Sequence, residues 1–492
     1  MAEREPLWGA DNAWRRMGTT NNLIVITGVL VFEEAVGYEE LCIRLEERLL
    51  RFDRFKHRVG GQKRRLLWPY WEPVDQFDIH NHVYNIALPE PADKSTFEQF
   101  VGTLMSRPLD ESRPLWEVSL VDNVGPDDGN AAVVRINHSV GDGFALLYVM
   151  LGLVDNPDEL EFPISGVSAS PPPEPEEGRD SADRSSHPVE PGEKNRGSAE
   201  SEQADSSSDT AGPDRGHDDE GGTDSEDPMD REITGSGLLG TVKTAARAVR
   251  TGYDLLTMSD DPDTSLTGEL GPTKRAAWTR RIDISRVKAV GAAHDATVND
   301  IFLAATAGAI RRVLEDRGED TAGLELRWTV PVNLRPMAER TESLGNYFGF
   351  VFLPVPVGIR DLDRRIELVR ERMDLQRVGI EAFLMYKLLD VGGYVPESVQ
   401  QYLIGVLEDV ATGIVTNVPG PVGGAEFAGK EIGDMIVWVP QANGQGLGIS
   451  IISYNGTVRV GIAADANLLP EPRLLADAFE TELDDLFGEL DA

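Results

Sequence analysis

A mixed α/β fold in two blocks is what this sequence predicts, and three observations predict it. The chain has 492 residues, more than one ordinary domain holds. Apolar residues alternate with a strand period in some stretches and recur with a helix period in others, so both element types are called for. Residues 155–235 are rich in Pro, Ser, Gly, Asp and Glu and poor in aromatic and β-branched side chains, and they divide the patterned chain in two. Such a composition buries too little apolar surface to offset the entropy of ordering. The segment is expected to be a disordered acidic linker.

In the first block, residues 1–154, the run from Leu23 to Phe32 is apolar and β-rich and predicts a strand. Tyr38 to Leu50 has helical spacing closed by charged positions. Trp116 to Val121 and Ala131 to Asn137 read as two more strands, and Phe144 to Leu153 as a helix. Beyond the linker, Leu239, Val242, Ala246, Val249, Tyr253 and Leu256 recur every three or four residues, with Lys243, Arg247, Arg250 and Asp254 on a neighbouring face. This predicts an amphipathic connecting helix within 236–271, its basic side facing either water or a membrane or lipid-droplet surface. In the second block, residues 272–492, a helix opens at Ile282 and ends near His294, and another runs from Val298 to Leu314. Strands are predicted at Leu324 to Pro331 and Gly349 to Pro356. A turn at Val415 to Pro421 precedes sheet-like patterns at Gly448 to Ser453 and Thr457 to Ala463.

The formal charge of −37 narrows the partners. Residues 155–232 hold 24 Asp and Glu against 6 Lys and Arg, and the rest of the chain is still strongly acidic. No broad basic face is available to release counterions from phosphates, so nucleic acid is excluded as a partner. Only 9 of the 47 basic residues are Lys. An acidic, Lys-poor chain predicts a halophilic protein, whose self-repulsion is screened by high internal salt. Cys42 is the sole cysteine, which leaves no intramolecular disulfide and points to a reducing cytoplasm. Met1 to Gly9 has no apolar signal-peptide core. The longest apolar runs, Leu23 to Phe32 and Ile301 to Ile310, fall short of the roughly 20 residues a spanning helix needs. The expected location is the cytoplasm, with peripheral contact to a membrane or lipid inclusion as the alternative.

The sharpest chemical feature runs from Val133 to Leu147, where an apolar strand enters a loop of Asn137, His138, Gly141, Asp142 and Gly143 and a helix follows at once. His138 suits a general base because its unperturbed pKa of about 6.5 lies near working pH. Asp142 can hold the loop either by capping the helix or by pairing with an Arg elsewhere. Taken alone, a strand-end His is more often structural than catalytic, since one residue is no constellation. There is no Gly-x-Ser-x-Gly elbow, and Cys42 sits in a helical pattern, so nothing calls for a covalent acyl-enzyme. The His residues show no metal-ligand spacing, and no metal or other cofactor is expected.

With these residues in view, the sequence resembles the wax ester synthase/diacylglycerol acyltransferase family, within the acyltransferases marked by His-His-x-x-x-Asp-Gly. That motif stands here as Asn137-His138-Ser139-Val140-Gly141-Asp142-Gly143. In order along the chain, Pro6-Leu7 and Asp11, Trp68 to Val83, Pro114-Leu115-Trp116, Thr297-Val298-Asn299-Asp300, Val330 to Arg335, Gly345-Asn346 and Thr416 to Pro421 also match. The resemblance implies two chloramphenicol-acetyltransferase-like domains with the active site at their interface. It implies direct transfer from acyl-CoA to a lipophilic alcohol, either a diacylglycerol or a fatty alcohol, with His138 as base, Asp142 structural, and Asn299 and Asp300 supporting the site. The rival readings are a weakly catalytic lipid- or granule-surface protein and an acyltransferase for a polar or carrier-bound acceptor. Asn137 replaces the family's first motif His, which bears on acceptor positioning. Lys63, Arg64 and Arg65, and Lys274 with Arg275, are candidates for the CoA phosphates or an anionic lipid surface, with solvated loops as the alternative.

Overall fold

A strand that reads apolar at every position is usually covered on both faces, and the run at Val25–Phe32 is such a strand. Val25, Thr27 and Val29 are buried on one face, while Ile26, Gly28 and Leu30 on the other line an internal cavity. The computed structural model describes residues 4–61, 68–124, 129–161, 258–335, 344–376, 380–405, 410–442 and 444–491. The acidic stretch from residue 162 and the helix expected over 239–256 lie outside the described residues.

In the first block the elements are β1 (Glu5–Pro6), α1 (Gly9–Met17), β2 (Val25–Phe32), α2 (Tyr38–Arg48), β3 (His57–Gly60), β4 (Tyr70–Pro73), β5 (Val83–Ala87), α3 (Lys94–Met105), β6 (Trp116–Asp122), β7 (Ala131–Asn137) and α4 (Gly143–Leu153). The second block begins with β8 (Lys274–Trp278), β9 (Ile282–Asp283), α5 (Ile284–Ala293), α6 (Val298–Asp316), β10 (Leu326–Asn333) and β11 (Phe348–Val355). It continues through α7 (Leu362–Gln376), α8 (Ile380–Tyr394), α9 (Glu397–Gly405), β12 (Gly413–Pro419), β13 (Glu426–Phe427), β14 (Lys430–Trp438), β15 (Leu447–Tyr454), β16 (Thr457–Asp465) and α10 (Arg473–Asp491).

Two large sheets organise these elements. The first has the order β13-β14-β2-β7-β6-β5 and the second β11-β10-β12-β15-β16-β8, with β9 also on β16; β1, β4 and β3 form a small third sheet. β13 and β14 come from the second block yet complete the first sheet. β14 runs antiparallel to β2, with Ile432 opposite Phe32 and Trp438 opposite Thr27. The chain division at residue 272 is therefore not a division between sheets. The second sheet is backed by α6, which is buried nearly all round between α5, α7 and α10. A helix that reads Ala, Ile, Leu and Phe on every side belongs in such a place. α3 packs on β8 through Phe97, Val101, Leu104 and Met105 against Ala276 and Trp278.

One close approach fixes what lies behind the site. α1 lies against α8 with no room for side chains at the crossing. A Cβ added at Gly9 would lie 2.0 Å from the Asp390 carbonyl, and one at Gly393 only 1.8 Å from that of Gly9. Contacts that short exclude any residue with a Cβ at either position. The crossing brings Trp14 of α1 beside His138, just after β7, and Asp11 beside Asn346.

Several expectations change. Val415 to Pro421 is not a turn: Gly413–Pro419 forms strand β12, paired in parallel with β15. Prolines at 419 and 421 suggested a bend, but they sit at the strand's end, where no ladder donor is required. Residues 155–161 of the expected linker are packed. Asp155 pairs with Arg48 at 2.7 Å, Leu160 is buried, and Glu161 bridges Val422. Residues 258–271, placed within the connecting helix, are not helical. There Asp261 accepts backbone N–H bonds from Arg327 and Thr412, and Leu266 enters the core. Among the described residues, no helix is long and apolar enough to cross a membrane.

Candidate active site

The strand–loop–helix expected around His138 is present, and each part has a physical cause. β7 ends at Asn137, whose side-chain oxygen accepts the Ser139 N–H at 3.0 Å and turns the chain. The Asn137 side chain is therefore used locally, and Asn137 is not among the cavity-lining residues. Asp142 is the N-cap of α4, with Oδ1 accepting the Ala145 N–H at 2.8 Å. Its Oδ2 accepts from the Arg335 guanidinium at 3.0 Å and from the Tyr347 N–H at 2.9 Å. Capping and Arg pairing, posed as alternatives from sequence, occur together on the two oxygens of one carboxylate. Both Asp142 and Arg335 are buried. A paired, hydrogen-bonded burial of this kind ties the motif loop to the β10–β11 connection.

His138 is 6% exposed and stacked on Trp14, with ring centroids 4.6 Å apart at 20°. Phe348 of β11 stacks on the same indole at 5.2 Å. His138 Nδ1 lies 2.8 Å from Asn346 Oδ1. Asn346 in turn donates from Nδ2 to Asp11 Oδ1 and to the His138 carbonyl, both at 2.9 Å. Asp11 pairs with the buried Arg54 at 2.9 Å, and Arg54 also donates to the Val140 carbonyl at 3.0 Å. Burial pushes the His138 imidazole below its ordinary 6.5, against the opposing influence of the Asp142 charge and the Asn346 bond. Burial likewise pushes the Asp11 carboxyl above its ordinary value even with Arg54 beside it.

A cavity of about 230 Å³ opens beside His138. Its walls come from both large sheets: Ile26 and Leu30 of β2, Val134 and Ile136 of β7, and Pro331, Phe348 and Val418 of β10, β11 and β12. Leu146, Leu147, Met150 and Leu153 of α4 and Leu45 of α2 extend the apolar lining. Indoles apart, its hydrogen-bonding side chains are His138, Asp142, Asn333, Thr416, Asn417 and Ser450. One imidazole at the wall of an apolar chamber can take a proton from a bound hydroxyl while bulk water is kept away.

The remaining site expectations divide. Trp116 and Gly143 line this cavity, and Pro114 and Leu115 are buried just ahead of Trp116, whose indole donates to the Phe55 carbonyl at 2.9 Å. Asn299 and Asp300 do not line it. Thr297 is the N-cap of α6, and Asp300 closes a capping box with it, accepting the Thr297 N–H at 2.8 Å. Helix capping thus accounts for Asp300, while Asn299, half-buried at the second position of α6, stands outside that box. Lys274 is buried and paired with Asp465 at 2.7 Å, which removes it as a free cation for a phosphate. Arg275, half-buried beside it on β8, is likewise absent from the cavity wall. Lys63, Arg64 and Arg65 lie outside the described residues. Asp11, Arg335 and Asn346 stood in matching stretches without assigned roles. Their place in those stretches was the signal available for them.

Comparison with known proteins gives the family and the fold. Residues 7–302 match the model of the wax ester synthase/diacylglycerol acyltransferase catalytic domain, and residues 344–487 that of the WS/DGAT C-terminal domain. A Mycobacterium tuberculosis protein named "Probable diacyglycerol O-acyltransferase tgs1" is 26% identical over 91% of this chain and 87% of its own length. Wax ester synthase/diacylglycerol acyltransferase 4 of Arabidopsis thaliana is 26% identical over 98% of this chain and 89% of its own. In fold, the chain matches the wax ester synthase/diacylglycerol acyltransferase from Marinobacter aquaeolei VT8 with a TM-score of 0.63 at 18% identity, covering 99% of this chain and 100% of that one. The first condensation domain of the calcium-dependent antibiotic synthetase matches with a TM-score of 0.58 at 14% identity, over 100% and 98% of the two chains.

Proposed function

The chain belongs to the wax ester synthase/diacylglycerol acyltransferase family, and from that premise we propose that it transfers an acyl group from a CoA thioester directly onto a lipophilic alcohol. The alcohol is a diacylglycerol or a fatty alcohol, and the product a triacylglycerol or a wax ester. The observation that carries this reading is an imidazole, that of His138, at the wall of a chamber whose other surfaces, among the described residues, are nearly all apolar. His138 takes the proton of the acceptor hydroxyl as its oxygen attacks the thioester carbonyl. The tetrahedral oxyanion collapses, the carbon–sulfur bond breaks, and the departing CoA thiolate recovers the proton from the imidazolium. Cys42 is buried in the core away from the cavity, which supports transfer without an acyl-enzyme. The strong acid surplus fits a protein working at high salt.

The test uses the purified full chain with a long-chain acyl-CoA, following free thiol with diacylglycerol, a fatty alcohol, a polar amine or no acceptor. Thiol release that depends on a lipid alcohol, with the matching ester formed, is the expected result. Release only with the polar acceptor would move the enzyme to a different acceptor class. No release with any acceptor would leave a lipid-surface protein without this chemistry.

A further inference from the structure

We propose that Asn346 is a positioning residue that fixes the tautomer of His138, placing the hydrogen on Nδ1 and the lone pair on Nε2. The inference rests on the reading of His138 as general base and deepens it, because a base works only if its lone pair faces the acceptor.

The two ends of an amide side chain are told apart by what surrounds them. The Nδ2 end of Asn346 lies 2.9 Å from the main-chain carbonyl of His138, an oxygen that can only accept. It lies equally close to Asp11 Oδ1, which already accepts the Asn346 backbone N–H at 3.0 Å. The NH₂ must therefore occupy that end. The carbonyl end is left 2.8 Å from His138 Nδ1, and a carbonyl oxygen has no hydrogen to give. Nδ1 must carry the hydrogen, and in a neutral imidazole the lone pair then belongs to Nε2. Trp14, stacked on the ring, opposes a flip that would exchange the two nitrogens. When Nε2 takes a proton the Nδ1–H bond is unchanged, so the ring has no need to turn during a cycle. Asp11 is itself held by Arg54, whose guanidinium also donates to the Val140 carbonyl in the motif loop. The amide orientation is thus set by groups brought from α1 and from the segment between α2 and β3, far away in sequence.

The first measurement needs only the native protein. In the full chain labelled with ¹⁵N-histidine, the ring signals of His138 are those that vanish in His138→Ala, out of seven His. At mildly alkaline pH, Nδ1 should show the shift of a protonated nitrogen and Nε2 that of an unprotonated one; the reverse assignment would overturn the proposal. The second is kinetic. Asn346→Leu should lower kcat by roughly 10- to 100-fold, the usual loss when a group orienting a working His is removed, with KM within about three-fold. Asn346→Asp keeps an acceptor on Nδ1, a proton shared with Asp11 standing in for the amide hydrogen, and should recover much of that loss. Wild-type kcat in both variants would also overturn it. If Asn346→Leu does not fold, the tautomer measurement decides alone. Acceptor-dependent thiol release surviving in His138→Ala would instead remove the general-base reading. An inactive His138→Ala with indifferent Asn346 variants would remove only the positioning role.

Discussion

The two oxygens of Asp142 hold different pieces of the chain, Oδ1 the first turn of α4 and Oδ2 the buried Arg335 with the Tyr347 N–H. Losing an N-cap costs about 1 kcal/mol, and taking the carboxylate from a buried ion pair costs about 3–5 kcal/mol. Asp142→Ala should therefore lower stability by roughly the larger figure, read from the denaturant midpoint, and lower turnover with it. An unchanged midpoint would mean that the pair is not what holds the loop. His138 carries a second prediction. Its neutral form is the base, and burial places its pKa below 6.5, so the neutral form persists at neutral pH and is lost only as pH falls further. The charge acting on it directly is Asp142 in its own loop, which is paired with Arg335 after β10; Asp11 of α1, paired with Arg54 beyond α2, is joined to it through Asn346. The acid limb of kcat/KM should lie below pH 6.5; a limb well above that value would show a charged His138 in the free enzyme. His138 and Asp142 were legible in the sequence because strand, loop and helix are local. Asn346 and Arg335 were not, since they meet the motif across 208 and 193 residues, a separation no local pattern reveals. Asp300 has a structural reason of its own, since it closes a capping box with Thr297 at the start of α6.

At the scale of elements, β2, β6, β7 and α4 could be placed from their patterns to within a residue or two, and so could α5, α6, β15 and β16. α1 escaped because Asp11 and Asn12 are fully buried in it, inverting the usual signal, and their burial makes sense only once Arg54 and the Gly393 carbonyl are in place. β14 was not singled out from its pattern, and nothing in Lys430–Trp438 hints that its partner lies in the other block. That partnership has a consequence. Without β14, β2 becomes an edge strand with an apolar face open to water, and Phe32 loses Phe427 and Ile432. Residues 1–161 expressed alone should therefore give no cooperative thermal transition. A sharp, reversible melt would show that the first sheet is stable without its borrowed strands.

For the whole molecule, the two-block α/β architecture was legible from patterning and from the acidic stretch, whereas the exchange of strands between blocks was not, and a site shared by the two blocks followed only from the family resemblance, not from patterning. Both arise from packing over hundreds of residues, which periodicity does not encode. The charge of −37 acts at the same scale. Self-repulsion of like charges destabilises the compact state and is screened within roughly 3 Å at molar salt. Melting temperature and activity should rise from dilute buffer toward molar KCl, and full stability in dilute buffer would exclude salt dependence. The central claim is direct acyl transfer to a lipid hydroxyl with His138 as base. Its most direct test is to supply acyl-CoA with a fatty alcohol and, separately, with a diacylglycerol, each labelled with ¹⁸O at the free hydroxyl, and to follow both esters by mass spectrometry in native protein and in His138→Ala. The account predicts an ester that retains the label, formed roughly 10²- to 10⁴-fold more slowly by a folded His138→Ala. Undiminished ester formation without His138, or no ester from the native protein, would contradict it.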